Sequence, residues 1–301
     1  MSSPEPKPRG LKDRVQFALI RGVLWLMERL PYKRRVAFSG WVLSRVVAPL
    51  VGWRKRIAAN LRLVQPGISE AEIARIQHAA PENFGRTLAE LFSAADFLPI
   101  ARATTLEGPG LAALEQARAE GRPSILVSGH FGNYDVVRAG IIARGFQVGG
   151  IYRPLNIAPL NDIYIDRISQ IGQPLFSRGR RGMAEMMRFL KSGNTLAVLI
   201  DQRLNNGVAL NFFGHKAYTA LSFAELALKY NATVVPCYAI RQPDGLSFRA
   251  VLEAPVAHTT PAEMTQALND SLEAQVRQNM GQWLWFHNRW KEINPPEEAQ
   301  T

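Results

Sequence analysis

The chain has 301 residues, of which 47% are hydrophobic, and it carries a formal net charge of +11. This composition supports a large core, and no long linker rich in Pro, Ser or Gly forces a split into separate domains. The single cysteine, Cys237, excludes an intrachain disulfide framework and the usual cysteine-based zinc sites. Within "TVVPCYAI" we expect it to be a buried structural thiol, and a chain without disulfides suits the cytoplasm.

Positive charge is concentrated at the N-terminus. Residues 1–60 contain 13 lysines and arginines against three acidic residues, so the remainder is nearly neutral. A nucleic-acid-binding protein would need basic residues along the folded core, and this core is nearly neutral. The charge distribution therefore argues against nucleic-acid binding. In "FALIRGVLWLMERL" and "VAFSGWVLSRVVAPLVGW" the basic residues stand among Trp and aliphatic residues, a composition typical of a lipid headgroup boundary. The alternative is an amphipathic helix pair packed on the domain with its arginines solvated.

Neither of these runs reads as a clear membrane span, which requires ~20 mainly apolar residues. The first is interrupted by Arg21 and Glu28, and the second by Arg45 and Pro49. We expect helices lying in the membrane interface, with a single N-terminal span as the alternative. No cleavage-site pattern follows them, so we expect the segment to stay attached and to face anionic lipid on the cytoplasmic side.

The remaining elements follow in chain order. Residues 1–10 are rich in Pro and polar residues and are predicted to be disordered, and residues 11–100 read as helical, with breaks near Pro31, Pro66-Gly67 and Pro81. From about residue 121, short β-branched runs alternate with helical patterns. The predicted strands are "PSILVSG", "FQVGGIY", "TLAVLID", "TVVPCYAI" and "LSFRAVLEA". This alternation predicts an α/β fold with a central, largely parallel sheet flanked by helices.

The stretch "HFGNYD" follows the first of these strands, where loops of α/β proteins carry function. His130 lies in the turn, and Asp135 would lie in the first turn of the next helix. The carboxylate could accept a hydrogen bond from one imidazole nitrogen and leave the other as a base. No Gly-x-Ser-x-Gly nucleophile is present, so the group to be activated would be a hydroxyl on the substrate. Two alternatives stay open on spacing alone: a structural turn, or half of a metal site.

Several sequence blocks give this histidine a context. They are "RKRIAANL", "ENFGRTLAE", "GHFGNYDV", "IYRPLNIAPLNDI", "AVLIDQRL", "NFFGHKAYT", "VVPCYAIRQPDG" and "WLWFHNRWK". In this order and spacing, from about Trp53 to Lys291, the chain resembles the bacterial lipid A biosynthesis lauroyl/myristoyl acyltransferases. These belong to the wider group of lysophospholipid acyltransferases with a His-x-x-x-x-Asp/Glu motif.

The resemblance implies an O-acyltransferase of glycolipid and lipopolysaccharide biosynthesis. It would transfer a fatty acyl chain from acyl carrier protein, or from acyl-CoA, to a hydroxyl of a membrane glycolipid, most simply a lipid A precursor. No cofactor is implied besides this thioester co-substrate, and no metal. The implied location is the cytoplasmic face of the bacterial inner membrane. Alternatives are another acceptor, such as a lysophospholipid or a phosphatidylinositol mannoside, or a non-catalytic membrane-surface scaffold.

The resemblance also assigns roles to residues. His130 would be the general base, oriented by Asp135. Arg153, Asp201, Gln202 and Asn133 would stabilise the oxyanion or bind substrate, and Tyr152, Phe212, Phe213 and Gly214 would line the groove for the acyl chain or acceptor. The expected organisation is a disordered tail (1–10), a basic amphipathic, membrane-associating segment (11–53) and the acyltransferase domain (54–295).

Overall fold

The computed structural model describes residues 27–155 and 158–291, together with Ala18, Gly22 and Trp25. The predicted tail over residues 1–10 and most of residues 11–26 lie outside this part of the chain, and the predicted domain boundaries stay a prediction.

The first layer of the fold is helical, as the sequence predicts. One helix begins directly after Pro31, and the hydroxyl of Ser69 caps a later one by accepting a hydrogen bond from the backbone N–H of Glu72 at 3.2 Å. The elements are α1 (Tyr32–Val42), a π-helical turn (Leu43–Val47), α2 (Ala48–Leu50), α3 (Trp53–Val64), α4 (Glu70–Leu91) and α5 (Ala94–Ala103).

The predicted break at Pro81 is wrong, because Pro81 lies inside α4. A proline within a helix removes one backbone donor and costs ~3 kcal/mol or more in an isolated helix. Here Ala80 and Pro81 are buried, so tertiary packing holds the helix together across the proline. The chain bends instead between α2 and α3, around Gly52.

Within the described residues, no single helix is long and apolar enough to cross a membrane. The segments Tyr32–Leu50 and Trp53–Val64 meet the length and composition requirement only as a pair, and this pair is bent by 87°.

The α/β half of the chain confirms the predicted architecture. The seven-stranded sheet has the order β1-β9-β8-β2-β5-β3-β4, and its five strands from β8 to β4 run parallel, while β9 pairs antiparallel with β8. The strands are β1 (Leu106–Glu107), β2 (Ser124–Ser128), β3 (Val148–Tyr152), β4 (Leu175–Ser177), β5 (Thr195–Leu199), β8 (Thr233–Arg241) and β9 (Phe248–Leu252). The helices are α6 (Gly110–Ala119), α7 (Asp135–Ala143), α8 (Ala158–Ile171), α9 (Arg180–Lys191), α10 (Ser222–Tyr230) and α11 (Pro261–Gln278).

Alternate residues of the central strands serve two separate cores. Leu126 of β2 packs with α5, α7 and α8, whereas Ile125 and Val127 pack with α9, α10 and α11. The sheet is therefore covered on both faces, as expected for buried parallel strands. A third core joins the helical layer to the C-terminal tail and to a small hairpin that the sequence did not predict, β6 (Val208–Phe212) and β7 (His215–Thr219).

Candidate active site

The register of two neighbouring parallel strands brings His130 and Asp201 together. Strands β2 and β5 pair Ser128 with Leu199. His130 lies two positions after Ser128, and Asp201 lies two positions after Leu199. Because parallel strands end at the same edge of a sheet, the two side chains meet there.

His130 is held by Asp201 through its ring and its backbone. The Nδ1 atom of His130 lies 2.8 Å from Oδ1 of Asp201, and the backbone N–H of His130 donates to Oδ2 at 2.7 Å. The indole Nε1 of Trp283 donates to the same Oδ2 at 2.9 Å. Asp201 is only 2% exposed, so these donors fix the carboxylate.

The electrostatics of the pair set the state of the imidazole. Burial by itself raises the pKa of Asp201, but the His130 ring and the hydrogen bonds from His130 and Trp283 outweigh it and lower the pKa to about 2. Asp201 is therefore ionised at neutral pH and can only accept hydrogen bonds. The Nδ1 atom of His130 must carry the proton, which leaves the lone pair on Nε2, as a general base requires.

His130 lines a cavity of about 860 Å³, and so does Gln202, whose side chain lies on the Nε2 side of the imidazole. This volume lies within the range typical of small-molecule sites, ~300–1,000 Å³. The side-chain amide nitrogen of Gln202 lies 3.3 Å from Nε2, and the ring of Tyr134 meets the imidazole edge to face with centroids 5.7 Å apart. An N–H donor thus stands beside the basic nitrogen.

The predicted hydrogen bond between His130 and Asp135 is corrected by the structure. Among the described residues, the carboxylate that contacts the imidazole is that of Asp201. Asp135 begins α7 and lies on the cavity wall, with an oxygen 3.9 Å from Nη1 of Arg138. Burial raises the pKa of Asp135, and Arg138 opposes this. The prediction from chain spacing took only the local turn into account. Pairing of β2 with β5 places the Asp201 carboxylate closer to the imidazole.

Asn133 does not reach the cavity as a substrate ligand would. It is 1% exposed, its amide nitrogen donates to Glu90 at 2.7 Å, and its oxygen accepts from the backbone N–H of Asp135 at 3.1 Å. Both ends of the amide are engaged inside the protein. Asn133 therefore caps the start of α7 and ties it to α4.

The turn at Gly132 is fixed from several sides. Its carbonyl accepts hydrogen bonds from Asn83 and Thr87, each at 3.0 Å, and its N–H donates to the carbonyl of Gln282 at 2.9 Å. Its φ is +54°, and a Cβ at this position would lie 1.8 Å from the carbonyl oxygen of Ala239. Only glycine fits here, which explains the glycine of "HFGNYD".

Tyr152 and Arg153 lie at the same sheet edge, at and just after the end of β3, and both line the cavity. Arg153 is exposed at its rim. The oxygens of Asp201, a residue predicted to stabilise the oxyanion or bind substrate, instead accept hydrogen bonds from His130 and Trp283.

The assignment of Phe212, Phe213 and Gly214 to the groove is wrong. The two phenylalanines are 1% and 3% exposed, and Gly214, with φ of +77°, completes the turn between β6 and β7. Their rings pack among the tryptophans of the C-terminal tail, Trp283, Trp285 and Trp290. The Phe212–Phe213 pair before Gly214 is therefore part of the hydrophobic core.

The apolar lining of the cavity comes from residues that the sequence reading did not single out. The strands, α7, α8, the helical layer and the C-terminal tail contribute Trp53, Phe84, Leu88, Leu126, Val137, Ile168, Leu175, Ala197 and Phe286. Cys237 also borders the cavity and is buried, as predicted, and burial raises the pKa of its thiol to about 12. Over residues 27–155 and 158–291, no group of three or more His, Cys, Asp and Glu side chains could hold a metal ion.

Comparison with known proteins shows the family. The profile described as bacterial lipid A biosynthesis acyltransferase matches residues 7–292. The chain belongs to this family. It is 28% identical to the lipid A biosynthesis lauroyltransferase of Escherichia coli (strain K12) over 280 residues, which cover 90% of this chain and 89% of that protein. It is 25% identical to the lipid A biosynthesis acyltransferase of Haemophilus influenzae, over 99% and 97% of the two chains. A phosphatidylinositol mannoside acyltransferase of Mycobacterium tuberculosis is 24% identical over 70% of this chain and 69% of its own.

Membership in the lipid A acyltransferase family makes the chain an enzyme that transfers acyl groups. One site residue that sequence reasoning missed is Trp283. Its block, "WLWFHNRWK", carried the family resemblance, and a tryptophan in a core needs an acceptor for its N–H. In the same block, Nε2 of His287 accepts a hydrogen bond from the backbone N–H of Arg203 at 3.1 Å. The C-terminal tail therefore braces the loop that carries Asp201 and Gln202.

Proposed function

We propose that this acyltransferase moves a fatty acyl chain from a carrier thioester to a hydroxyl of a lipid A-type glycolipid, with His130 as the general base. The observation that carries the proposal is that His130 lines the cavity while the Asp201 carboxylate holds its Nδ1 atom, which keeps Nε2 free of a carboxylate partner. A base with a fixed tautomer beside a large, mainly apolar space suits a reaction between two lipid substrates.

The reaction needs a base, not a protein nucleophile. As the acceptor oxygen attacks the thioester carbonyl carbon, the hydroxyl proton passes to Nε2 of His130. The new C–O bond forms, the C–S bond breaks, and the sulfur leaves as a thiol after taking that proton from the imidazolium. Asp201 stabilises the imidazolium without itself being protonated, since its pKa is about 2.

Gln202 is our candidate for stabilising the tetrahedral oxyanion. Its amide nitrogen lies 3.3 Å from the basic nitrogen, so an N–H donor is within reach of the carbonyl under attack. Arg153, exposed at the rim, is better suited to the charged part of a substrate, such as a phosphate, than to the buried reaction centre.

The acyl chain would occupy the apolar part of the cavity, between the sheet and helices α7 and α8. The two lipid A relatives favour a lipid A precursor as acceptor, and the phosphatidylinositol mannoside relative names the second acceptor to be tested. We propose acyl carrier protein as the donor, with acyl-CoA as the alternative.

We also propose that the helical layer attaches the enzyme to the inner membrane from the cytoplasmic face. Large apolar side chains are exposed on it: Leu50 is 81% exposed, Trp41 52% and Val51 52%. Phe38 stacks on Trp41 with centroids 6.0 Å apart, so the two rings form one apolar surface. Such a surface is expected to contact a partner or a membrane.

The experiment is an acyl-transfer assay with each donor and each acceptor, followed by mass spectrometry of the product lipid. His130→Ala should reduce transfer by at least about 100-fold, and Gln202→Ala by about 10- to 100-fold, mainly in kcat.

His258→Ala is the matched control, because its imidazole contacts the carbonyl of Ala232, away from the cavity lining. Full transfer by His130→Ala, with added mass on the same acceptor, would refute the assignment of the base.

A further inference from the structure

A cluster of basic side chains lies on the helical layer, outside the reaction centre. His78 of α4 lies between two arginines: Nη1 of Arg45 is 3.3 Å from its Nε2, and Nη2 of Arg54 is 3.4 Å from its Nδ1. The three side chains come from the π-helical turn, from α3 and from α4, so the fold brings them together. We call them the Arg45–His78–Arg54 cluster.

The hydrogen bonds inside the cluster leave guanidinium donors unused. The hydroxyl of Ser44 donates to the carbonyl of His78 at 2.9 Å and lies 3.3 Å from Nδ1. If Nδ1–H donates to Ser44, Nε2 accepts from Arg45, and the imidazole has no second acceptor to offer Arg54. Arg54 keeps one contact, with the carbonyl of Ser44 at 3.3 Å, while its buried Nε has no partner among the described residues.

No carboxylate balances this charge within the described residues. Among the residues that the structure describes, no acidic group lies within 4.0 Å of Arg45 or Arg54, and the carboxylate facing His78, that of Glu82, pairs with Arg86 at 2.6 Å. Burial and the two arginines lower the pKa of His78, so the imidazole is a neutral spacer. Two guanidinium groups thus face one another across it without a counter-ion.

The surroundings of the cluster point to the kind of anion. Arg45 lies one turn beyond the exposed Trp41, and Leu50 and Val51 are exposed at the bend that leads to Arg54. Trp53, next to Arg54, lines the active-site cavity and stacks on Phe286 at 3.9 Å. A cationic cluster beside an apolar, exposed corner matches a lipid, whose phosphate lies just above its acyl chains.

We propose that the Arg45–His78–Arg54 cluster binds the phosphate of an anionic membrane lipid and fixes the enzyme's orientation on the bilayer. Guanidinium groups bind phosphate with paired hydrogen bonds that a lysine ammonium does not reproduce. The inference rests on the proposed membrane attachment, but not on acyl transfer.

Vesicle binding tests the site. Wild type, Arg45→Lys/Arg54→Lys and the control Arg34→Lys/Arg102→Lys are sedimented with phosphatidylcholine vesicles and with vesicles that also contain phosphatidylglycerol or phosphatidic acid. All three proteins carry the same net charge. The cluster variant should bind the anionic vesicles about tenfold less tightly than wild type and the neutral vesicles equally well, while the control should match wild type.

Equal binding of anionic vesicles by the cluster variant and wild type would overturn the site in favour of diffuse attraction. Titration of wild type with inorganic phosphate in the absence of vesicles, at constant ionic strength, separates the two sources of phosphate; tight binding that the cluster variant loses would assign the cluster to free anions and overturn the lipid proposal. His130→Ala should bind vesicles as wild type does, whatever its effect on acyl transfer. Vesicle binding therefore tests the lipid site, and acyl transfer tests the proposed base, so that either can fail without the other. Thermal unfolding of each variant confirms that it is folded.

Discussion

At the scale of single residues, the site depends on which carboxylate holds the imidazole. The chain offers Asp135, five residues after His130, and Asp201, on the neighbouring strand. Asp201 has a short contact with the ring, a second bond to the backbone of the same residue, and a third donor in Trp283. Asp135 lies on the cavity wall beside Arg138, where it can meet a substrate without orienting His130.

Asp201→Asn should therefore lower kcat more than Asp135→Asn does. The asparagine cannot stabilise the imidazolium by charge, and a loss of at least about 100-fold is expected. Transfer rates at saturating substrate, measured for both variants, check this. A severe loss in Asp135→Asn together with a mild one in Asp201→Asn would restore Asp135 as the orienting group.

The same carboxylate should give the folded state a defined acid sensitivity. The folded pKa of Asp201 is lowered from 3.8 to about 2. Its stabilisation is then fully present above pH ~4, and it is lost as the pH falls from there through the folded value. At full strength it amounts to about 2 kcal/mol.

Urea unfolding of wild type and Asp201→Asn between pH 6 and pH 3 measures this contribution. The stability advantage of wild type should be largest at pH 5–6 and should shrink by about half at pH 3. An advantage that is constant, or that grows toward acid, would contradict the lowered pKa.

At the scale of elements, hydrogen bonds hold the loop between β2 and α7 in a single conformation. Side chains of α4 donate to the carbonyl of Gly132, and the carbonyls of Gln282 and Ala239 accept from the backbone N–H groups of Gly132 and Asn133, so the loop holds His130 in place. Short loops anchored on both sides hold catalytic groups more precisely than free ones do.

Gly132→Ala should distort this loop. The added Cβ would lie 1.8 Å from the carbonyl oxygen of Ala239 at a φ of +54°, so we expect a loss of about 2 kcal/mol or more in unfolding free energy, with reduced kcat. Gly67→Ala is the matched control, because a Cβ there meets no atom within 4 Å. Urea unfolding and the transfer assay compare the two; similar behaviour would contradict the strained turn.

At the scale of the whole molecule, a buried ion pair connects the helical layer to the sheet. Glu90 of α4 and Arg241 at the end of β8 are 0% and 7% exposed, and Nη2 of Arg241 donates to Oε2 of Glu90 at 2.7 Å. Asn83, Thr87 and Asn133 complete the network. The layer that would meet the membrane and the sheet that carries His130 are therefore mechanically joined.

Glu90→Gln should be strongly destabilising, because it leaves the buried Arg241 without its counter-charge; a loss of about 3–5 kcal/mol is expected. The exposed pair of Arg249 and Glu107, at 3.0 Å, provides the control, and Glu107→Gln should cost no more than about 1 kcal/mol. Chemical denaturation measures both. Equal effects would mean that the buried pair does not connect the two layers.

The sequence by itself determined the α/β alternation, the parallel central strands and the place of His130 at a strand end, because side-chain periodicity and turn residues act locally. The acyltransferase family was also recognisable at this level, because the order and spacing of the motif blocks are features of the sequence alone. Tertiary structure decided what depends on long-range contacts. The register of the strands places Asp201, and not Asp135, beside the His130 ring. Tertiary packing keeps α4 helical at Pro81, and contacts with the C-terminal tryptophans place Phe212 and Phe213 in the core. His130 and Asp201 are 71 positions apart, as are Phe212 and Trp283, so spacing along the chain does not encode these contacts.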